Sequence, residues 1–212
     1  MIKNLVFDFG GVLTTIDTEQ AIKRFKELGL ADAEKYLNAY KQTGIFFGLE
    51  NGDIDADTFI EELSNLCNRK LTYDDALYAW MGFIVSVETE LMEYLQTLRG
   101  KYRLCVLSNT NPFLQGWARS TKFTEEGKSL DDYFDELYLS YLMGCSKPGE
   151  DIYRKMLATG DMLPHETLFV DDGARNIETA EVVGIKTLKA VNGKSWRKEL
   201  EKILVIFNIV VN

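Results

Sequence analysis

The sequence predicts an α/β fold: a doubly wound parallel sheet with a small all-helical insertion after strand 1. Three observations carry this reading. Five short runs rich in branched and aromatic residues, 4–9, 103–107, 136–139, 167–170 and 185–189, have the length of strands. Several are apolar throughout, as strands covered on both faces are. Helical patterns over 150–158 and 176–183 separate the later runs and are long enough to cross back and start a parallel neighbour. Finally, the alternation breaks once, between Leu13 and Arg103, where amphipathic helical segments follow one another without a convincing strand.

Within that break, a segment over 19–28 stops at Gly29 and another over 33–41 stops before Gly44. A third, 56–67, starts behind Asp55 as its N-cap, and a fourth covers 73–83. The segment 88–98 leads directly into the second strand and is assigned to the sheet layer. Residues 1–13 and 87–212 are therefore expected to form the core and 14–86 the insertion. The apolar end, 203–211, is interrupted by Asn208 and far shorter than the ~20 residues of a membrane-spanning helix; it reads as a buried strand or a packing tail.

Composition sets limits on partners. The chain has 212 residues, 46% apolar and 27% charged, which suits a folded protein with a sizeable core. Its net charge of −9 repels a nucleic-acid backbone, so nucleic acid is not an expected partner. A small phosphorylated ligand stays open, because a few cations in a cleft reverse the local field. Cys67, Cys105 and Cys145 are odd in number and contain no CxxC pair, as expected of reduced structural thiols. The N-terminal apolar run is too short for a signal peptide, and no segment reads as membrane-spanning. A cytoplasmic protein, monomeric or weakly dimeric, is expected. The lone His165, in the loop LPHET, excludes a His-based metal cluster and is expected at the surface.

Four features stand at carboxyl ends of predicted strands, where open α/β sheets bind ligands. Asp8 ends the first strand in VFDFGGVL, and the glycines behind it allow a tight turn whose amides can approach an anion. Ser108 ends the second in CVLSNTN, where a hydroxyl and nearby amides could hold a phosphate oxygen or simply start a turn. Lys147, in CSKPG, offers a compact ammonium for a phosphate or a carboxylate. Asp171 and Asp172 follow the apolar run LFV, and adjacent carboxylates at a buried strand end repel unless a hard cation such as Mg²⁺ compensates.

Acid, hydroxyl, ammonium and acid pair, each on a separate sheet element and in that order, are more specific together than apart. FDFGGVL, VLSNT, SKP and FVDDGARN resemble the four motifs of the haloacid dehalogenase superfamily and span nearly the whole chain. Within it, DFGGVL, NGDID, LSNTN and YLSYLMGCSKP are most similar to bacterial sugar-phosphate phosphatases of the α-D-glucose-1-phosphate type. The resemblance implies a Rossmann-like core, a helical cap over the site, and a phosphatase acting on a small phosphorylated metabolite.

By position, the resemblance makes Asp8 the nucleophile that forms an aspartyl-phosphate. It assigns Mg²⁺ to Asp8, the carbonyl of Gly10 and Asp172, with Asp171 as ligand or supporting partner. Ser108 and the amides around Asn109 would grip the phosphoryl group, while Lys147 neutralises charge. One position departs from the pattern: the second Asp that usually serves as general acid is Gly10 here. Asp17 could reach in as the donor or could N-cap the helix near Glu19. Phe47 and Trp80 could line the substrate pocket or belong to the core. A 2-haloacid dehalogenase and a non-catalytic binding protein are the alternative functions.

Overall fold

The computed structural model describes residues 1–38 and 42–209. Five parallel strands form its central sheet in the order β5-β4-β1-β6-β7. They are β1 (Asn4–Phe7), β4 (Arg103–Ser108), β5 (Glu136–Leu139), β6 (Thr167–Asp171) and β7 (Lys186–Lys189). All five coincide with the predicted runs to within two residues. Side chains alternate across a strand, so a run that is apolar throughout supplies both faces at once. Leu5, Phe7, Leu104, Val106, Leu168 and Val170 pack on one side, and Val6, Cys105, Leu107 and Phe169 on the other.

Helices cover both faces. α5 (Thr89–Leu98) and α10 (Arg197–Ile209) contribute to the first side, and α8 (Glu150–Thr159) and α9 (Ala174–Val182) to the second. The short helices α6 (Pro112–Ala118) and α7 (Ser140–Met143) follow β4 and β5 directly. The apolar C-terminal segment packs on the core, as the packing-tail reading expected, but as part of a helix and not as a strand. Leu200, Ile203, Leu204 and Phe207 recur at helical spacing and pack as one stripe against the sheet layer. Residues 210 and 211 of that segment lie outside the described residues. No helix among the described residues is long and apolar enough to cross a membrane.

The sequence reading missed a second, two-stranded sheet, in which β2 (Thr14–Ile16) pairs antiparallel with β3 (Ile84–Val87). These strands are three and four residues long and largely half-exposed, so no apolar pattern announces them. Asn192 fastens the pair to the core, donating to the Ile16 carbonyl at 2.9 Å and accepting from its amide at 3.1 Å.

Between β2 and β3 the chain forms α1 (Thr18–Glu27), α2 (Gly44–Asn51), α3 (Ala56–Leu66) and α4 (Tyr73–Trp80). Asp55 caps α3 as expected, accepting from the Thr58 amide at 2.8 Å. The predicted helix over 33–41 is only a single turn, Ala33–Lys35, and residues 39–41 lie outside the described residues. Helix α2 was not anticipated, because its apolar residues surround two glycines that lower its helical signal.

This layer has an aromatic core of its own. Phe46 on α2 is fully buried, with ring centroids of Phe25, Phe59 and Trp80 at 4.9, 5.1 and 5.5 Å. Phe113 and Leu114 on α6 join the same cluster, tying the layer to the sheet side. Truncating a buried Phe removes its transfer energy and leaves a cavity. Phe46→Ala is expected to lower the unfolding free energy by ~3–5 kcal/mol in urea denaturation.

Candidate active site

The sheet order reverses at β1, with β4 and β5 on one side and β6 and β7 on the other, and ligand crevices open at the carboxyl ends beside such a switch point. In register, Phe7 lies between Val106 and Val170, so the residues that follow converge. A cavity of about 100 Å³ lies there, walled on the sheet side by Asp8, Gly10, Ser108, Asn109, Lys147 and Asp172.

Lys147 is the hub. Its Nζ donates to Asp171 Oδ2 at 2.7 Å, to Asp8 Oδ1 at 2.8 Å and to the Leu107 carbonyl at 3.0 Å, which uses all three ammonium protons. Asn109 positions it through a two-way bridge, accepting from the Lys147 amide and donating to its carbonyl, both at 2.8 Å.

The three acids are unequal. Asp171 is wholly buried, and Oδ1 accepts from the Gly173 amide at 2.7 Å and from Asn176 Nδ2 at 2.9 Å. With Oδ2 on Lys147, both of its oxygens are engaged. Asp8 spends Oδ1 on Lys147 and on the Phe9 amide at 2.7 Å, while Oδ2 has no hydrogen-bond partner among the described residues. Asp172 sits against Gly11, which has φ of +76° and whose missing Cβ would lie 2.4 Å from Asp172 Oδ2. Any side chain there would displace that carboxylate.

Charge sets the chemistry of the cluster. Burial raises the Asp8 pKa to about 7, with Lys147 opposing the rise and Asp171 and Asp172 adding to it. Asp172 is raised as well, by burial and then by Asp171. Burial works against the Lys147 ammonium, but the two carboxylates outweigh it and its pKa rises. Oxygens of Asp8, Asp171 and Asp172 lie within 4.8 Å of one another, three carboxylates against one ammonium. That excess of negative charge, in oxygen donors around a small space, fits a hard divalent cation such as Mg²⁺.

The remaining expectations divide. Trp80 lines the cavity and is also core, packed among the aromatic rings above. Phe47 does not line it; this side chain borders a neighbouring cavity of about 380 Å³ that shares Gln42, Glu50, Asn109 and Lys147 with the first. Asp17 is not at the site. Its exposed carboxylate caps α1, accepting from the amides of Glu19 at 2.9 Å and Gln20 at 3.2 Å. Capping is satisfied locally, and nothing draws the side chain inward.

Sequence reasoning missed Glu50 and Asn176, both on the cavity wall, and the buried Asn111 and Ser140 behind it. Asn176 had a signal, since it lies one helical turn beyond the acid pair. Glu50 had none, because the helix that carries it was not foreseen.

Residues 2–184 match the haloacid dehalogenase-like hydrolase family. A D-ribitol-5-phosphate phosphatase of Bacteroides thetaiotaomicron is 48% identical over 96% of this chain and 99% of its own. A HAD-like family hydrolase of Porphyromonas gingivalis superposes with a TM-score of 0.92 at 42% identity, covering 96% of this chain and 98% of that one. A HAD family enzyme of B. thetaiotaomicron, in complex with magnesium and inorganic phosphate, gives a TM-score of 0.86 at 32% identity, over 94% and 99% of the two chains.

Removing Lys147 leaves buried carboxylates uncompensated, a change typically worth ~3–5 kcal/mol. Lys147→Met is expected to lose stability of that size at pH 7, measured by urea denaturation in EDTA. The sign with pH follows from Asp8, whose pKa lies above the ordinary 3.8. Below about pH 5 Asp8 carries a proton in the folded state, so the gap between variant and parent is expected to shrink as pH falls through 7 and widen as it rises.

Proposed function

Because the chain belongs to the haloacid dehalogenase-like hydrolases, we propose that it is a Mg²⁺-dependent phosphatase of small sugar or polyol phosphates, with Asp8 as nucleophile. The observation that carries the reading is the Asp8 carboxylate in the cavity wall, one oxygen held by Lys147 and the other without a hydrogen-bond partner among the described residues. Held this way, it can attack phosphorus in line, forming an aspartyl-phosphate that water then cleaves.

Ser108 and the amides about Asn109 take the non-bridging phosphoryl oxygens, and Lys147 offsets charge that builds on them and on Asp8. Bound Mg²⁺, held by Asp8, Asp172 and the Gly10 carbonyl, would supply the positive charge that lets a phosphate dianion approach these carboxylates. Asp171 is assigned a supporting part: with both oxygens engaged, it anchors Lys147 and orders the first turn of α9. The residues 14–86 act as the cap that excludes water and selects the substrate.

For the substrate, an open-chain polyol phosphate is proposed ahead of the α-D-glucose 1-phosphate that the motif wording pointed to. The relative at 48% identity supports this order. The lining of the cavity bears on ligand class and not on this order: Gln42, Glu50 and Thr110 are polar, and Trp80 has an indole Nε1 without a hydrogen-bond partner among the described residues. Buried donors without partners favour a hydroxylated ligand over an apolar one.

Phosphate release from D-ribitol 5-phosphate, related alditol and aldose phosphates and α-D-glucose 1-phosphate tests the proposal, with Mg²⁺ and with EDTA. Expected are turnover in Mg²⁺ only, the highest kcat/KM for an open-chain terminal phosphate, and loss of at least ~10³-fold in Asp8→Asn. Phosphate release from none of the panel, or release unaffected by EDTA, would overturn it.

A further inference from the structure

The usual second Asp is absent at Gly10, and Asp17 is committed to capping α1, so no carboxyl on the β1 loop can protonate a leaving group. Three carboxyl side chains line the cavity: Asp8, Asp172 and Glu50. The first two belong to the nucleophile and cation cluster on the sheet side. Glu50 reaches the cavity from α2, in the helical layer and not from the sheet.

From this placement we infer that Glu50 is the acid–base residue of the reaction, replacing in the helical layer the group that β1 lacks. The inference rests on the phosphatase reading above.

Glu50 is held for this task rather than carried on a loose segment. Its carbonyl accepts from Ser140 Oγ at 2.5 Å, and the same hydroxyl accepts from the Thr110 amide at 3.0 Å, joining α2 to the loop behind Ser108. Next to it, Asn51 Oδ1 accepts from Ser146 Oγ at 3.0 Å, beside Lys147. The end of α2 is thus tied to both loops that would grip the phosphoryl group. Asn111 uses Oδ1 to cap α6, accepting from Phe113 and Leu114 at 3.1 Å. Its buried Nδ2 therefore faces elsewhere and makes no hydrogen bond of normal geometry, although it lies close enough to Glu50 to be felt.

The protonation state agrees. Burial and then the charge of Asp8 raise the Glu50 pKa to about 8, with Asn111 and Lys147 only partly opposing, so the carboxyl holds a proton at neutral pH. In the first half-reaction Asp8 Oδ2 bonds to phosphorus and the bond from phosphorus to the alkoxide oxygen breaks. That oxygen keeps the electron pair and takes the Glu50 proton, leaving as an alcohol. In the second half the Glu50 carboxylate accepts a proton from water as its oxygen attacks phosphorus. The bond to Asp8 breaks, returning the carboxylate, and inorganic phosphate departs.

A leaving-group series tests this in Mg²⁺: glycerol 3-phosphate, D-ribitol 5-phosphate, phenyl phosphate and 4-nitrophenyl phosphate, with parent, Glu50→Gln and Glu50→Asp. General acid help is worth ~10²–10⁴-fold. Glu50→Gln is expected to lose that much kcat on the alkyl phosphates and less than ~10-fold on 4-nitrophenyl phosphate, which needs no proton. Glu50→Asp should recover part of the alkyl activity. An equal loss across the series, or undiminished alkyl activity in Glu50→Gln, would refute the assignment, and thermal melting separates either result from misfolding. A parent enzyme inactive on all four esters would instead count against the phosphatase reading itself.

Discussion

The ammonium of Lys147 holds the site together. Buried beneath the cavity, it spends its three protons on the ends of three different strands: the acid after β1, the last residue of β6 and a carbonyl of β4. Desolvating a lysine is unfavourable, and here two carboxylates reverse the balance. The same bonds fix which oxygen of Asp8 is exposed to chemistry and which is not. A surface pair of the same type would contribute little; this one sets the geometry of the nucleophile because the Lys147 side chain is almost wholly buried.

From that centre the rest follows in layers. Asn109 locks the Lys147 backbone, Gly173 and Asn176 lock Asp171, and the parallel register delivers all of them to one edge. The helical layer is the other half. It closes the cavity with side chains that have no counterpart in the sheet, and its docking runs through the Glu50 carbonyl, held by Ser140, and the Asn51 side chain, held by Ser146.

Much of this was legible from sequence because parallel sheets write their core as unbroken apolar runs, and strand ends then mark where polar residues matter. Asp8, Ser108 and the acid pair could be placed on that basis; Lys147 was expected at a strand end but lies beyond α7, and Asn109 came only with the motif resemblance. What stayed hidden has physical reasons. Strands as short as β2 and β3 carry too few residues to show a period. In α10 the stripe at 200, 203, 204 and 207 reads as a bare apolar run when branched residues fill the gaps. Glu50 lies on a glycine-interrupted helix, and a lone acid among apolar residues gives no sign of which cavity it will face. Asp17 carried two readings, and the N-cap is the one realised: the carboxylate lies near the motif in sequence but is spent on two amides of its own helix.

The pairing of β2 with β3 puts the two ends of a long detour side by side. Residues 17–83 leave and re-enter the sheet layer through a single doorway, with Thr15 opposite Ser86 and Ile16 opposite Ile84. From the standpoint of the five-stranded sheet, everything beyond that doorway is one loop with clamped ends. The entropy of closing a loop grows only with the logarithm of its length, about 0.6 kcal/mol for each doubling. Lengthening the segments beyond β2 therefore costs the sheet little in closure entropy, provided α2 keeps Glu50 and its ties to Ser140 and Ser146.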